Sequence, residues 1–190
     1  MAKLDITVAI PTIPPRRGLL RRAIDSVLSQ THPARGISVA VDVDKLGAAR
    51  MRQAALDGVN TEWVAFLDDD DEMLPIHLQV LAEAQEATGA DFVYSWFSTV
   101  PDGCDPFPAW FFTDPWDDKV PRHTTITTLV RTKLAKMVGF TDAIPGEQFG
   151  NEDWRFILEC NRLGKIHHVP ERTWLWHHDS GNTSGLPSRW

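Results

Sequence analysis

The sequence predicts an α/β protein with a mostly parallel central sheet flanked by helices. Two observations carry that reading. Short apolar, β-rich runs alternate with helical stripes along residues 6–97, the signature of strand–helix–strand units joined by right-handed crossovers. Three of these runs also end on polar residues: the first at Pro11-Thr12, the second at Asp42, the third at Asp68 to Asp71. Such residues collect at strand carboxyl ends, where open α/β sheets bind ligands.

The elements follow in order. Ile6 to Ile10 is the first strand, stopped by Pro11. Leu19 to Leu28 carries apolar residues at 19, 20, 23, 24, 27 and 28, a helical stripe closed by Thr31-His32-Pro33. Ile37 to Val41 is the second strand, Gly47 to Leu56 an Ala-rich helix, and Trp63 to Leu67 the third strand. Pro75 suits the first turn of a helix reaching about Thr88, with Gly89 as its stop. Asp91 to Phe97 is the fourth strand, and from Ser98 to Arg122 periodicity gives way to Pro, Gly, Asp and aromatics. A loop this long is usually functional or mobile. Thr124 to Val130 reads as a strand, and Thr132 to Val138 as a short helix ended by Gly139. Glu152 to Leu163 is a helix with acids at its start and Gly164 after it, followed by short strands at Ile166–Val169 and Thr173–His177.

The chain has 190 residues, 43% of them hydrophobic and 24% charged, which suits one domain over residues 1–190. Its net charge is −7 and its densest basic cluster is Arg16, Arg17, Arg21 and Arg22, a poor match to a duplex phosphate backbone. No stretch approaches the ~20 apolar residues of a membrane span, and Met1 to Asp5 lacks a secretory core. Cys104 and Cys160 follow no metal spacing, so a reduced, cytoplasmic setting is expected.

The chemistry concentrates where Trp63 to Leu67 runs into Asp68, Asp69, Asp70, Asp71 and Glu72. Neighbouring charges ~5 Å apart repel by roughly 1 kcal/mol in water and ~3 kcal/mol at an effective dielectric of 20. A hard divalent cation with oxygen ligands relieves that repulsion. Alternatively, Asp70, Asp71 and Glu72 cap and charge the next helix. No glycine-rich dinucleotide cradle or P-loop is present, and the turn Pro11 to Arg17 is proline-rich instead. A metal is therefore the expected clamp for a diphosphate.

Taken in order, six segments resemble the family 2-type glycosyltransferases of the GT-A fold. They are Ile6 to Thr12; Ala23 to Pro33; Arg52-Gln53 through Leu67; Leu67 to Asp71 as the D-x-D region; Glu152-Asp153; and Trp176 to Ser184. The resemblance implies a single GT-A domain, with residues 1–97 as the nucleotide-binding half and 98–190 as the acceptor and catalytic half. Pro11, Thr12 and Asp42 would meet the nucleoside, with Arg52 supporting that pocket. Asp68 would lie near the ribose with Asp69 beside it, and Asp70 would bind Mn²⁺ or Mg²⁺. By their own residue types, Asp42 reads equally as a strand-end turn residue and Arg52 as a solvated helix position beside Arg50. Three departures stand out: Asp42-Val43-Asp44-Lys45 replaces Asp-Asp-Gly-Ser, Gln53 replaces Asn, and Asp69 fills the middle of the D-x-D.

Sugar transfer with inversion needs one base for the acceptor hydroxyl and charge stabilisation on the departing diphosphate. Glycoside hydrolases need a second carboxyl to protonate the leaving group; here a metal replaces it. Asp153 is the expected base, with Glu152 in reserve. The alternative is that both stabilise a helix N-terminus, at ~0.3–1 kcal/mol each. His177 and His178 are neighbours in a strand and point to opposite faces. Either could be a metal ligand, which favours Mn²⁺, and His178 is preferred. His167 and His168 read as structural, and Trp96 reads as core. Trp110 and Trp116, in the long loop, suit acceptor stacking.

The resulting expectation is a metal-dependent, inverting glycosyltransferase using a nucleoside-diphosphate sugar, a UDP-sugar favoured. The acceptor could be a glycan, a lipid-linked sugar, a protein or a modified nucleobase, and a homodimer is compatible with the chain. A metal-dependent nucleotidyltransferase would want a Gly- and Lys/Arg-rich loop after strand one. A non-catalytic relative would bind donor without hydrolysing it. A processive synthase is not expected, because Leu186 stands where a Gln-x-x-Arg-Trp segment needs Gln.

Overall fold

A computed structural model of the chain describes residues 4–101, 126–142 and 152–177. Its elements are β1 (Ile6–Thr12), α1 (Arg17–Leu28), β2 (Gly36–Val41), α2 (Ala48–Asp57), β3 (Trp63–Phe66), β4 (Glu72–Met73), α3 (His77–Thr88), β5 (Phe92–Val100), β6 (Thr128–Arg131), α4 (Thr132–Val138), α5 (Glu152–Leu163) and β7 (Ile166–His177). The strands form one sheet in the order β2-β1-β3-β6-β5-β7-β4.

β1 pairs in parallel with β2 and β3, and β5 pairs in parallel with β7. β6 runs antiparallel between β3 and β5, and β4 runs antiparallel to β7. Five strands therefore share one direction and two oppose it. The expected fourth strand does follow the parallel set, but it does not touch β3. Four residues of β6 suffice to separate them because both faces of that strand are buried. Leu129 belongs to the apolar cluster that includes α1 and α3, and Val130 to the one that includes α2, α4 and α5.

The same period of two sorts the two larger core clusters. Ile6, Val8, Ile10, Trp63, Ala65 and Val93 face Ala23, Val27, Leu78 and Leu81 of α1 and α3. Ala9, Val64, Phe66, Phe92 and Tyr94 face α2, α4 and α5. Phe140 and Phe156 stack there at 4.2 Å, and Phe66 meets both edge-on. Both sheet faces are thus covered by helices, as parallel strands require.

Several boundaries differ from the expected ones for local reasons. Pro11 does not stop β1, which stays paired with β2 through Thr12. Ladder bonds from the odd residues of β1 run toward β3, as Leu67 N–H donating to Ala9 shows, and β3 has ended by Pro11. The missing proline donor therefore costs no ladder bond. Helix α3 begins two residues after Pro75, whose carbonyl instead accepts the Thr31 N–H at 2.8 Å. Gly89 ends it as expected, in the left-handed region at φ 64°. The two short strands expected after Gly164 are one strand, β7, whose register against β5 shifts around Trp96 where Pro170 and Glu171 bulge out. Ser98 to Val100 belong to β5, and residues 102–122 of the expected loop lie outside the described residues. Among the described residues no helix is long and apolar enough to cross a membrane.

Candidate active site

The carboxyl ends of β1, β2 and β3 meet as the sequence implies. The Asp42 N–H donates to the Thr12 carbonyl at 2.8 Å, and the Thr12 hydroxyl donates to Asp69 Oδ2 at 2.6 Å. After Leu67 the chain turns, with Asp71 N–H donating to the Asp68 carbonyl at 3.2 Å. That turn divides the acids. Asp69 points back to β1 and takes Arg16 Nη1 at 2.8 Å as its second partner. Asp68, Asp70 and Asp71 converge instead, each offering an oxygen within 4.8 Å of the others.

Burial acts on two acids of the turn. It pushes the Asp69 carboxyl above its ordinary range, against the opposing pull of Thr12 and Arg16. Asp71 is pushed well up, first by burial and then by Asp70 and Asp68. Three mutually repelling oxygen donors at the end of a strand suit a hard divalent ion. The donor chemistry fits Mn²⁺ or Mg²⁺, and the ligand set is all carboxylate.

A pair of carboxyls stands beside this triad. Glu152 and Asp153 open α5, and Arg52 on α2 links them to the acid turn. Arg52 Nη2 donates to Asp68 Oδ1 and Oδ2 at 2.8 and 3.0 Å, and Nη1 donates to Glu152 Oε1. Arg52 is only 7% exposed. Burial disfavours its charge, but Asp68, Glu152 and Asp153 together outweigh that and raise its pKa. Asp153 accepts the Trp154 N–H at 2.7 Å. Burial raises its pKa, helped by Glu152 and opposed by Arg52.

Residues 34–109 match the profile of glycosyl transferase family 2. The S. aureus TarS fragment 1–349 in complex with UDP-GlcNAc superposes with a TM-score of 0.74 at 18% identity, covering 95% of this chain and 60% of that one. The chain has the GT-A fold of the family 2 glycosyltransferases. The same TarS fragment with UDP gives a TM-score of 0.71 at 16% identity over 92% of this chain and 60% of that one. The longer S. aureus TarS structure gives 0.72 at 17% identity, covering 94% of this chain and 37% of that one. This chain therefore spans less than two thirds of the TarS chains it resembles. No curated protein sequence matches it.

Within this GT-A frame, the sequence-derived residues do not all converge. Asp68, Asp70, Arg52, Glu152 and Asp153 come together at one edge of the sheet. Thr12, Pro11 and Asp69 lie beside them, with Thr12 and Asp69 bonded to each other. Asp42 is 1% exposed, and its two carboxylate oxygens accept the N–H groups of Leu46 and Gly47 at 2.8 and 2.7 Å. It thus shapes the turn into α2, the role its residue type also allowed. His177 does not join the carboxylate triad: its Nε2 meets Glu72 Oε1 at 2.6 Å, while its N–H donates to Asp71 at 3.1 Å. His178, Trp110 and Trp116 lie outside the described residues.

Other assignments gain a physical reason. Arg50, the rival of Arg52, sits at the surface against Asp142 at 3.2 Å. Gln53, in place of the family Asn, accepts the Phe140 N–H at 2.8 Å and donates to Asp57 at 2.7 Å. His168 stacks on Tyr94 at 4.7 Å, and Trp96 is buried, as read.

Two features of the site go beyond the sequence expectations. Asp71, one acid of the run by sequence, is a member of the converging triad. Arg16 and Arg22, a basic cluster by sequence, serve the acid turn: Arg16 reaches Asp69 and Asp70, while Arg22 reaches the Asp70 carbonyl at 2.7 Å and pairs with Glu72. Their signal was the opposite-sign run at the neighbouring strand end.

Proposed function

We propose that this chain transfers a sugar from a nucleoside-diphosphate sugar, a UDP-sugar favoured, to an acceptor hydroxyl with inversion. The observation that carries this is the pairing of two carboxylate groups through Arg52: the triad Asp68, Asp70 and Asp71, and the pair Glu152 and Asp153. The first suits an ion and a diphosphate, the second suits proton transfer. Residues 1–97 supply the donor half of the site, with Thr12 and Pro11 at its nucleoside end. Residues 98–190 supply the acceptor side and the base.

A divalent ion at the triad would neutralise the diphosphate and stabilise it as a leaving group. The chain's own residues do the rest. Asp153 accepts the proton of the acceptor hydroxyl as that oxygen attacks the anomeric carbon. The bond from that carbon to the diphosphate oxygen breaks, and its electron pair leaves with the diphosphate. The raised Asp153 pKa makes its carboxylate a stronger base at neutral pH. Arg52 holds Glu152 and Asp68 in register, so the base side and the donor side keep a fixed spacing.

Screening nucleotide sugars for thermal stabilisation, with Mn²⁺ and with EDTA, tests this reading. A ligand at 100 times its Kd stabilises by about 2.7 kcal/mol. A UDP-sugar is expected to raise the melting temperature with Mn²⁺ and to be hydrolysed slowly. If no nucleotide sugar shifts melting with Mn²⁺, the reading fails.

A further inference from the structure

Three guanidinium groups surround the acid turn, and they are not equivalent. Arg52 is fixed between Asp68 and Glu152, and Arg22 holds the Asp70 carbonyl. Arg16 instead joins the two halves of the divided turn: Nη1 donates to Asp69 Oδ1 at 2.8 Å and to Asp70 Oδ2 at 3.0 Å. Each partner has another source of compensation. Asp69 keeps the Thr12 hydroxyl at 2.6 Å if Arg16 leaves, and Asp70 belongs to the triad suited to a divalent ion.

We propose that Arg16 is a switching cation of the donor site, neutralising Asp70 while the divalent ion is away and moving onto the donor diphosphate once the ion is bound. This rests on the donor site proposed above. The guanidinium carries its charge at all relevant pH values, so it cannot give way by deprotonation. A divalent ion and a guanidinium on one carboxylate repel each other, and the newly arrived diphosphate is the anion that relieves this. Arginine binds phosphate oxygens through a two-pronged fork, which makes that transfer favourable. Position allows it. Arg16 ends the short 3-10 turn Pro14–Arg16 and precedes α1, at the carboxyl edge of the sheet. Pro14 and Pro15 fix that backbone, so the movement is confined to a side chain 13% exposed.

The switch has a signature that a structural role lacks: loss of the guanidinium should move ion affinity and nucleotide affinity in opposite directions. Mn²⁺ alone is titrated into the full chain and into Arg16→Gln, followed by electron paramagnetic resonance of free Mn²⁺. UDP is then titrated calorimetrically at saturating Mn²⁺. Arg16→Gln is expected to bind Mn²⁺ ~3–10-fold more tightly, because a competing charge is gone. It should bind UDP ~10-fold or more weakly, because a charge-assisted bond is lost. Arg16→Lys, which keeps the charge without the fork, should leave Mn²⁺ affinity near wild type and place UDP affinity between the two. It also serves if Arg16→Gln does not fold. Variants whose two affinities fall together, or stay unchanged, would overturn the switch while wild-type binding leaves the donor site standing. A wild-type chain that binds neither Mn²⁺ nor UDP would overturn both.

Discussion

Arg52 donates through Nη2 to both carboxylate oxygens of Asp68, at 2.8 and 3.0 Å, and this fork joins α2 to the acid turn after β3. Its other nitrogen, Nη1, reaches Glu152 at the head of α5. Removing one member of a buried ion group leaves the others uncompensated, at ~3–5 kcal/mol. Asp68 and Glu152 are partly solvated, which screens part of that cost. Arg52→Met should therefore lose roughly 3 kcal/mol in urea unfolding, whereas Arg50→Met, at an exposed pair, should lose under about 1 kcal/mol. Equal losses would mean that Arg52 is not the tie between the two carboxylate groups.

The Glu152-Asp153 pair separates binding from chemistry. Asp153→Asn keeps the size and the oxygen that accepts the Trp154 N–H. Donor affinity and melting temperature should stay near wild type, while turnover falls by ~10²–10⁴. Glu152→Gln weakens the contact with Arg52 and should show chiefly in stability. Steady-state transfer assays beside calorimetry are the check. A stable Asp153→Asn variant with near-normal turnover would move the base role elsewhere.

Much of this arrangement was legible because it depends on periodicity and on strand ends. β1 to β3, α2 and α5 carry their apolar positions at regular spacing, and Gly89, Gly139 and Gly164 mark helix ends where the chain does turn. β4 was not legible. It is two residues long, begins with an acid of the charge run, and exists only because Trp174 and Leu175 pair with it. The antiparallel insertion of β6 is likewise a long-range choice, which a strand-length apolar run cannot announce. Leu28 belongs to the helical stripe by spacing but, as the last residue of α1, lies 73% exposed. In the site, residue types were legible and partnerships were not. Asp42 faces its own turn, His177 faces Glu72, and Arg16 faces Asp69 and Asp70. The Asp42 outcome is set by the turn at 42–47, and the other two by the path of the chain through 68–72; the sequence alone leaves both open.

Asp71 gives the site a pH signature. Its folded pKa lies above the ordinary carboxylate value because of burial and the neighbouring Asp70 and Asp68. A carboxyl with a raised folded pKa binds its proton more tightly when folded. Its contribution is most favourable below the unfolded value near ~3.9 and is lost as pH rises through the folded value. Asp71→Asn removes that loss and can still accept the His177 N–H. In EDTA, the variant should match wild type below about pH 4 and become progressively more stable than it toward neutrality. Urea unfolding across pH is the measurement. A variant less stable than wild type by the same amount at every pH would show that Asp71 is no strained acid.

The central claim is that the carboxylate triad holds a divalent ion that in turn holds a nucleoside diphosphate. Calorimetric titration of UDP into the chain, first with Mn²⁺ and then with EDTA, tests it most directly, with Asp70→Asn and the surface variant Asp44→Asn beside wild type. The account predicts UDP binding that depends on Mn²⁺, is lost in EDTA, falls to the EDTA level in Asp70→Asn and is unchanged in Asp44→Asn. Equal UDP affinity with Mn²⁺ and with EDTA, or an Asp70→Asn variant that keeps the full Mn²⁺ effect, would contradict it.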